Sequence, residues 1–476
     1  MTQHTLTDAG IRAVALRVAV TALDRWTDRA GRAAGQRPPD KPLGALPEAP
    51  PEHPGDPGIP VLARQVAAAG GPEAAAVAAR ACAVWARAAG GGPSHRGLYD
   101  GGLAGTLVGL RQSAVLHPAL HPVADRLRDR LLDQRLGGQV PYGAVTFADY
   151  DLVLGPSGVL LALIADLGQA RSTRERAGGG RGKPVTAVGD VPRAPQGFGK
   201  GLTGPRANGG GGRGGAGPAV SGPAGSGPAD SGPAAYAEHL AALCDRPELP
   251  GLRAHYPGHP LLGWLHGRIN TGMGHGVAGV TAALSAAVRW LGPRRELTAA
   301  LAHTCRWLEA ESFEDARDIR TWNGCGADGA PRLPGANARQ AWCYGTPGVS
   351  WALWEAADVL ADSAAAAWAA AAFTSLAEGF HEGYHLFGDH PGDRLGLCHG
   401  AAGVLAIADA LHRHGQLPAA TELRSRLLDH LAAHENELAT LAEQRCGLLN
   451  GAGGALAAML TATGGNRAWL PCLGLR

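Results

Sequence analysis

The chain has 476 residues, 45% of them hydrophobic, which suffices for one large domain or for two to three ordinary domains with a sizeable core. Its net charge of +2 argues against the broad basic surface that is typical of nucleic-acid binding or of attraction to an acidic membrane. Eight scattered cysteines argue against a disulfide scaffold. The most apolar run, residues 364–373, is about half as long as a membrane span. We therefore expect a cytoplasmic protein without an integral membrane segment.

Along the chain, the composition changes four times. Residues 1–35 predict an amphipathic helix, and residues 36–60, with nine prolines, predict an extended linker. Residues 61–171 and 236–476 carry repeated motifs. Between them, residues 172–235 are so rich in Gly, Pro, Ser and Ala that they cannot bury enough apolar surface to fold. We therefore predict that this insert is disordered.

A Gly-x-x-Gly motif opens an apolar, Ala-rich run six times, twice in residues 61–171 and four times in residues 236–476. Successive second glycines lie 51–69 residues apart, except across one interval of 121 residues that contains the 64-residue insert. This period accommodates two helices and their loops. The six glycine pairs are Gly102 and Gly105, Gly155 and Gly158, Gly276 and Gly279, Gly345 and Gly348, Gly400 and Gly403, and Gly451 and Gly454.

The helical segments are of two kinds. Those that follow the motifs are apolar nearly all round, as in buried helices, whereas segments such as 294–311 are amphipathic. Strand-like alternation is nearly absent, and no polar caps of an open repeat array are evident. We predict an all-α fold, an α/α toroid with about six inner and six outer helices, to which the helix of residues 1–35 also belongs.

Two cysteines and two histidines occupy equivalent positions in different repeats. Cys343 and Cys398 both lie two residues before the first glycine, and His275 and His399 both lie one residue before it. In a ring of repeats, these positions meet at one end. Cys343, Cys398 and His399 then form three zinc ligands with an open fourth position, the pattern of catalytic zinc. The alternative for each cysteine is a core residue beside a turn, which the shared register disfavours.

Two thiolates weaken zinc as a Lewis acid for hydrolysis but suit it to hold an incoming thiol as a thiolate, which indicates alkylation or addition at sulfur. His275 is a candidate proton-transfer group, with a core histidine as the alternative. Asp151, four residues before Gly155, is placed to orient a histidine, hold an arginine or cap a helix. Arg339 is a candidate partner for Asp151, with an exposed salt bridge as the alternative.

The segments "NTGMGHGVAGV", "RQAWCYGTPGVS" and "GLCHGAAGV", in this order, resemble the LanC-type lanthipeptide cyclases. "YDLVLGPSGVL" is similar to that family's earlier Asp-bearing repeat, and the resemblance runs from about residue 95 to about residue 460 outside the insert. It implies an α/α toroid with one zinc ion (Zn2+). It also implies the following roles: zinc ligands Cys343, Cys398 and His399, proton-transfer residue His275, and active-site residues Asp151 and Arg339.

The resemblance implies Michael-type addition of peptide cysteines to dehydroalanine or dehydrobutyrine, which forms lanthionine or methyllanthionine rings. The expected partners are a dehydrated precursor peptide, a separate dehydratase and a transporter, and any membrane association would come through that complex. The Gly/Pro-rich insert departs from the folded insertion that some members carry, so leader binding stays open. Alternatives are addition of glutathione or another small thiol, a non-catalytic zinc-bearing scaffold, and a prenyltransferase-type toroid.

Overall fold

The computed structural model describes residues 6–33, 53–90, 95–133, 144–178, 228–328 and 335–476. Most of the predicted linker (36–52) and of the predicted insert (179–227) lies outside these ranges. Two short strands, β1 (Phe313–Glu314) and β2 (Arg320–Thr321), pair antiparallel. The α-helices are α1 (Asp8–Ala33), α2 (Gly58–Ala69), α3 (Pro72–Ala89), α4 (Leu103–Ala114), α5 (His121–Asp133), α6 (Pro156–Gly178), α7 (Pro228–Leu243), α8 (Val277–Leu291), α9 (Arg295–Glu311), α10 (Thr346–Val359), α11 (Ser363–Gly379), α12 (Glu382–His385), α13 (Pro391–Leu395), α14 (Ala401–Ala410), α15 (Pro418–Ala433), α16 (Glu435–Gln444) and α17 (Ala452–Ala462).

The long helices form two concentric rings. In the inner ring, α2, α4, α6, α8, α10, α14 and α17 each pack on the next, and α17 packs back on α2. Each inner helix carries an outer partner, in the same order α3, α5, α7, α9, α11, α15 and α1. The α/α toroid is thus confirmed. None of the helices in the described ranges is both long and apolar enough to cross a membrane.

The described residues contain seven helix pairs, one more than the motif count predicted. The additional inner helix, α2, begins at Gly58, so the last three residues of the predicted linker are helical. Gly55 and Gly58 form a further Gly-x-x-Gly motif, hidden among prolines. Pro57 and Pro60 do not prevent this helix, because a proline in the first turn removes an N–H that has no partner within the helix.

The edges of the predicted insert are also helical. Residues 172–178 continue α6, and residues 228–235 form the start of α7. The Ala-rich α7 packs on α6, α8 and α9, and this tertiary packing supports its helical backbone in spite of Pro233. The predicted insert is therefore shorter at both ends than its composition suggested.

The second glycine of each motif allows the inner helix to pack against the loop that precedes it. We call these segments, each ending at a first glycine, the motif loops. A methyl group at Gly279, Gly348 or Gly403 would overlap a carbonyl oxygen of its own motif loop, that of Met273, Trp342 or Leu397 respectively. The close approach leaves no room for any side chain, and this explains why glycine recurs there.

We expect the Gly403→Ala substitution to lower the free energy of unfolding by about 2–4 kcal/mol, because the added methyl group must displace backbone of the motif loop. The matched control is Gly90→Ala. Gly90 has helical dihedral angles, with φ −68°, and no atom within 4 Å of an added methyl group. This control should be neutral or slightly stabilising. Urea unfolding monitored by circular dichroism measures both, and equal stabilities for the two variants would contradict the packing argument.

Backbone hydrogen bonds join neighbouring motif loops around one end of the ring. The contacts follow the order of the inner helices, from the loop before α4 to the loop before α17. The donor and acceptor pairs are Leu98 N to Val153 O, Leu152 N to Gly274 O, Met273 N to Cys343 O, Cys343 N to Cys398 O and Cys398 N to Leu449 O. Residues far apart in sequence are thereby brought to adjacent positions at this end.

Asp56 closes this circle of loops with its side chain. Its Oδ1 accepts hydrogen bonds from the backbone N–H of Gly58, at 2.7 Å, and of Leu448, at 2.9 Å, so it joins the first inner helix to the last motif loop. Burial of the carboxyl group raises its pKa to about 6, although the two backbone donors oppose this shift.

We expect Asp56→Asn to gain stability relative to the wild-type protein as the pH rises. Asparagine keeps the Oδ1 acceptor, whereas the folded wild-type protein binds a proton more tightly than the unfolded chain does. The free energy of unfolding of the wild-type protein should therefore fall as the pH rises from 4 to 6. The difference in this free energy between the variant and the wild-type protein should change by about 1–3 kcal/mol. Urea unfolding at pH 4.5 and pH 7.5 measures this difference, and a value independent of pH would contradict the buried, titrating carboxylate.

The chain segment 469–476 fills the inside of the inner ring beneath the motif loops. Three aromatic side chains donate hydrogen bonds to its carbonyl groups. They are Tyr99 Oη to Cys472 O at 2.5 Å, Trp342 Nε1 to Leu473 O at 2.9 Å, and Trp351 Nε1 to Gly474 O at 2.8 Å. Trp342 precedes Cys343, so this segment supports the floor of one motif loop directly beside a candidate metal ligand.

Candidate metal centre

Cys343, Cys398 and His399 lie together at the end of the ring where the motif loops meet. Their candidate ligand atoms are all within 4.8 Å of one another. Cys343 is buried, and the other two are partly exposed. The first belongs to the motif loop before α10 and the others to the loop before α14, so packing of these inner helices against each other brings the three side chains together. We call them the metal centre.

The electrostatics of the metal centre favour one thiolate. A hydrogen bond with Cys343 lowers the pKa of the Cys398 thiol to about 5, against the opposing effect of burial and with further help from His399. Burial and the neighbouring Cys398 sulfur raise the pKa of the Cys343 thiol. Two sulfur atoms and one imidazole, partly open to solvent, are a donor set that suits zinc, and a cation there would compensate the second thiolate.

A carboxylate lies behind the histidine of the metal centre. Asp393 Oδ1 is 3.8 Å from His399 Nδ1, a distance at which it attracts the ring electrostatically. Carboxylates beside metal-binding imidazoles commonly orient the ring. Asp393 belongs to α13 and precedes the motif loop, so its position in the sequence carried no register signal.

His275 and Asp151 form a hydrogen-bonded pair, with 2.5 Å between His275 Nδ1 and Asp151 Oδ2. The imidazole also stacks on Phe147, with ring centroids 4.4 Å apart. Burial lowers the pKa of His275, but the hydrogen bond and charge of Asp151 outweigh this and raise it. Since Nδ1 is engaged, Nε2 is the ring nitrogen left to exchange a proton with a substrate.

Asp151 combines two of the roles considered from the sequence. Its Oδ2 binds His275, while its Oδ1 accepts hydrogen bonds from the backbone N–H of Leu154, at 2.7 Å, and of Gly155, at 2.8 Å. The carboxyl group is fully buried, and this burial raises its pKa. The backbone contacts fix the carboxylate, which in turn fixes the orientation of the imidazole.

The His275–Asp151 pair adjoins the metal centre. Met273 donates its backbone N–H to the Cys343 carbonyl at 2.9 Å, two residues before His275. A methyl group at Gly274 would lie 3.5 Å from the Cys343 Cβ. The positive charge of His275 also contributes to the lowered pKa of Cys398. The ring architecture thus places the His275 imidazole next to the candidate metal-binding sulfurs.

Arg339 does not pair with Asp151, so the hypothesis of that ion pair was wrong. Its guanidinium lies 3.7 Å from the centroid of the Phe387 ring, and its Nη1 donates to the Phe387 carbonyl at 3.4 Å. Both oxygens of Asp151 are occupied by other donors. Arg339 still belongs to the neighbourhood of the metal centre, because its positive charge acts on the pKa of Cys343 and of His399.

The residues beside Cys343 are further members of the site that we had not singled out. Tyr344 Oη accepts a hydrogen bond from Asn270 Nδ2 at 2.9 Å, which ties the motif loops before α8 and α10 together. Trp342 is held from below by Leu473, as described above. Trp342 and Tyr344 flank Cys343 in the sequence, so their proximity to the cysteine could be found locally. Their hydrogen-bond partners could not, because Asn270 lies 74 residues from Tyr344 and Leu473 lies 131 residues from Trp342.

Comparisons with known proteins agree with this geometry. Residues 255–473 match the family model for "Lanthionine synthetase C-like protein", a range that includes the metal centre and His275 but not Asp151. Among solved structures, nisin cyclase superimposes with a TM-score of 0.62 and 17% sequence identity, over 96% of each chain. No curated protein sequence matches this chain. Residues 255–473 are therefore similar to the lanthionine synthetase C-like family, and the described residues share the toroidal fold of nisin cyclase.

Proposed function

We propose that the protein is a lanthionine-forming cyclase that adds the thiol of a peptide cysteine to a dehydroalanine or dehydrobutyrine of the same peptide. The observation that carries this proposal is the candidate metal centre of two sulfurs and one imidazole, with the hydrogen-bonded pair of a partly exposed His275 and a buried Asp151 beside it. The match of residues 255–473 to the lanthionine synthetase C-like family model and the fold shared with nisin cyclase support the same reaction. A separate dehydratase would supply the substrate peptide, and a transporter is a candidate further partner.

Cys343, Cys398 and His399 would hold a zinc ion, since their donor types fit that metal and, among the residues that the structure describes, no fourth protein ligand closes the group. Zinc bound there supplies the positive charge that stabilises a substrate thiol as its thiolate at neutral pH. The chain contributes the geometry around this position. The buried Cys343 and the Asp393 carboxylate near His399 restrict the orientation of the ligands.

The addition forms a bond between sulfur and the β-carbon, and the electron pair of the carbon–carbon double bond moves into the enolate. The thiol proton is released and one proton must reach the α-carbon, so atoms and charges balance. His275 Nε2 is the proposed proton donor. Asp151 holds Nδ1 and stabilises the imidazolium, keeping it protonated to higher pH than an isolated histidine.

The experiment supplies the purified, zinc-loaded protein with a dehydrated peptide that contains cysteine. Free thiols are counted over time, and the rings are identified by tandem mass spectrometry. A second reaction contains glutathione and the same dehydrated peptide with its cysteine replaced by alanine. Loss of thiols in the first reaction alone supports the cyclase. Consumption of glutathione alone supports a small-thiol transferase, and persistence of thiols in both supports a scaffold without catalysis.

A further inference from the structure

Large apolar side chains are strongly exposed at few positions of the described residues, and three of these belong to the two segments that contact the surroundings of the metal centre. Leu261 is 77% exposed, Trp264 51% and Phe387 40%. The other large exposed apolar residues are Leu6, Val115 and Val123, which lie before α1, after α4 and in α5. Exposure of the Trp264 indole and the Phe387 phenyl ring to water is unfavourable. Their location in the same region therefore indicates a surface that binds a partner.

Trp264 stands on one side of the metal centre, in the segment between α7 and α8. A methyl group on Gly324 would lie 3.4 Å from the Trp264 ring and 3.6 Å from Tyr344 Cε1, so both rings border the same point. Tyr344 follows Cys343 directly. Leu261 lies three residues before Trp264 in the same segment, where its N–H donates to His259 Nδ1 at 3.2 Å.

Phe387 stands on the other side, in the segment before α13. The guanidinium of Arg339 covers one face of its ring. The next residue, Gly388, has a φ of +134° and packs against the Asp393 side chain, whose carboxylate lies 3.8 Å from His399. Phe387 is therefore connected to the histidine of the metal centre, as Trp264 is connected to the loop of Cys343.

We propose that Leu261, Trp264 and Phe387 form an apolar rim, which binds apolar side chains of an extended substrate peptide on both sides of its reacting residue. This inference rests on the proposed function and assigns the recognition of its substrate. The two sides belong to the segments before α8 and α14, which are separated by α10 in the ring. Two helix spacings of about 8–10 Å make this roughly 15–20 Å.

The span selects the kind of ligand. An extended chain rises about 3.3 Å per residue, so roughly five to six residues reach from one side of the rim to the other. A tripeptide thiol such as glutathione is too short to contact both sides. The charged guanidinium of Arg339 lies against the Phe387 ring, and His399 is partly exposed, so the rim is no continuous apolar face of the kind that inserts into a membrane.

The test measures binding without catalysis. Two fluorescein-labelled peptides of about ten residues carry serine in place of cysteine and alanine in place of the dehydroamino acid. One has leucine and phenylalanine on both sides of the central segment, and the other has asparagine and serine there. We expect the wild-type protein to bind the apolar peptide with a dissociation constant about tenfold lower than that for the polar peptide, measured by fluorescence anisotropy.

The double variant Trp264→Ala/Phe387→Ala should reduce this preference to about twofold or less, since both anchors are lost. The highly exposed Leu261 allows a second variant, Leu261→Ser, which cannot disturb the core. This variant should also reduce the preference for the apolar peptide, but severalfold less than the double variant does. The matched control Val115→Ala removes an apolar side chain that is 55% exposed at the other end of an inner helix, and it should keep the full preference.

Absence of a preference in the wild-type protein, or its persistence in the Trp264→Ala/Phe387→Ala variant, would overturn the inference. A membrane role would also overturn it. In that case, vesicles of anionic phospholipid would bind the wild-type protein but not the Trp264→Ala/Phe387→Ala variant, while the variant would keep the wild-type peptide preference. Thiol counting separates the two proposals. If no ring forms but the preference for apolar peptide depends on the rim, the cyclase proposal fails and the rim stands.

Discussion

We expect replacement of Cys398 by alanine to abolish the proposed zinc binding and to lower the rate of ring formation by at least about a thousandfold. Loss of several kcal/mol of electrostatic stabilisation of the thiolate corresponds to a factor of this size. The hydrogen bond with Cys343 and the nearby His399 lower the pKa of the Cys398 thiol, so its removal takes away a sulfur that favours the anionic form. Zinc content by atomic emission and ring formation by thiol counting measure the two effects.

The control for this variant is Cys82→Ala. Cys82 is a buried cysteine of the outer helix α3, and burial raises its pKa to about 11, so it has the properties of a core residue. Its replacement should leave zinc content unchanged and reduce stability only modestly. A Cys398→Ala protein that retains both zinc and activity would show that the three side chains within 4.8 Å of one another are not the metal ligands.

Replacement of His275 by alanine will lower the rate of ring formation by about 10²–10⁴-fold while zinc content stays unchanged. His275 is absent from the group of candidate ligands, and its Nδ1 is held by Asp151. The expected separation of metal binding from catalysis distinguishes a proton-transfer residue from a fourth ligand. Zinc loss in this variant would contradict the assignment.

The companion variant Asp151→Asn tests the same pair through pH. The Asp151 carboxylate outweighs burial and raises the pKa of His275, so its neutralisation lowers that pKa. If the protonated imidazole donates the proton, the rate falls as the pH rises through the His275 pKa. The basic limb of the pH–rate profile should therefore move to lower pH in the variant, and an unchanged limb would exclude His275 as the titrating acid.

Register between repeats carried most of what could be predicted about the site. Cys343 and Cys398, 55 residues apart, occupy the same motif position, and a closed ring converts equal positions into neighbours. The glycine pairs could reveal the ring because close packing of each inner helix on its motif loop excludes any side chain. The motif of Gly55 and Gly58 was missed, because the surrounding prolines indicated a linker. The helix that follows tolerates these prolines because they lie in its first turn.

The Arg339 hypothesis failed for a different reason. Sequence proximity to Cys343 placed the residue near the metal centre, but the choice between Asp151 and other partners depends on which groups already occupy the carboxylate. A side chain as long as arginine reaches several such partners. The contact with Phe387, 48 residues away, follows only from the path of the segment between α11 and α14.

By itself, the sequence determined the helical class, the repeated motif, the register of the candidate metal ligands and the chemistry that their side chains permit, because periodicity and residue type are local properties. Tertiary structure alone decided the seventh helix pair, the closure through Asp56, the segment 469–476 inside the ring and the positions of Trp264 and Phe387. These features depend on how surfaces far apart in the chain pack together, and many different pairings satisfy the same local pattern. Only the closed ring selects among them.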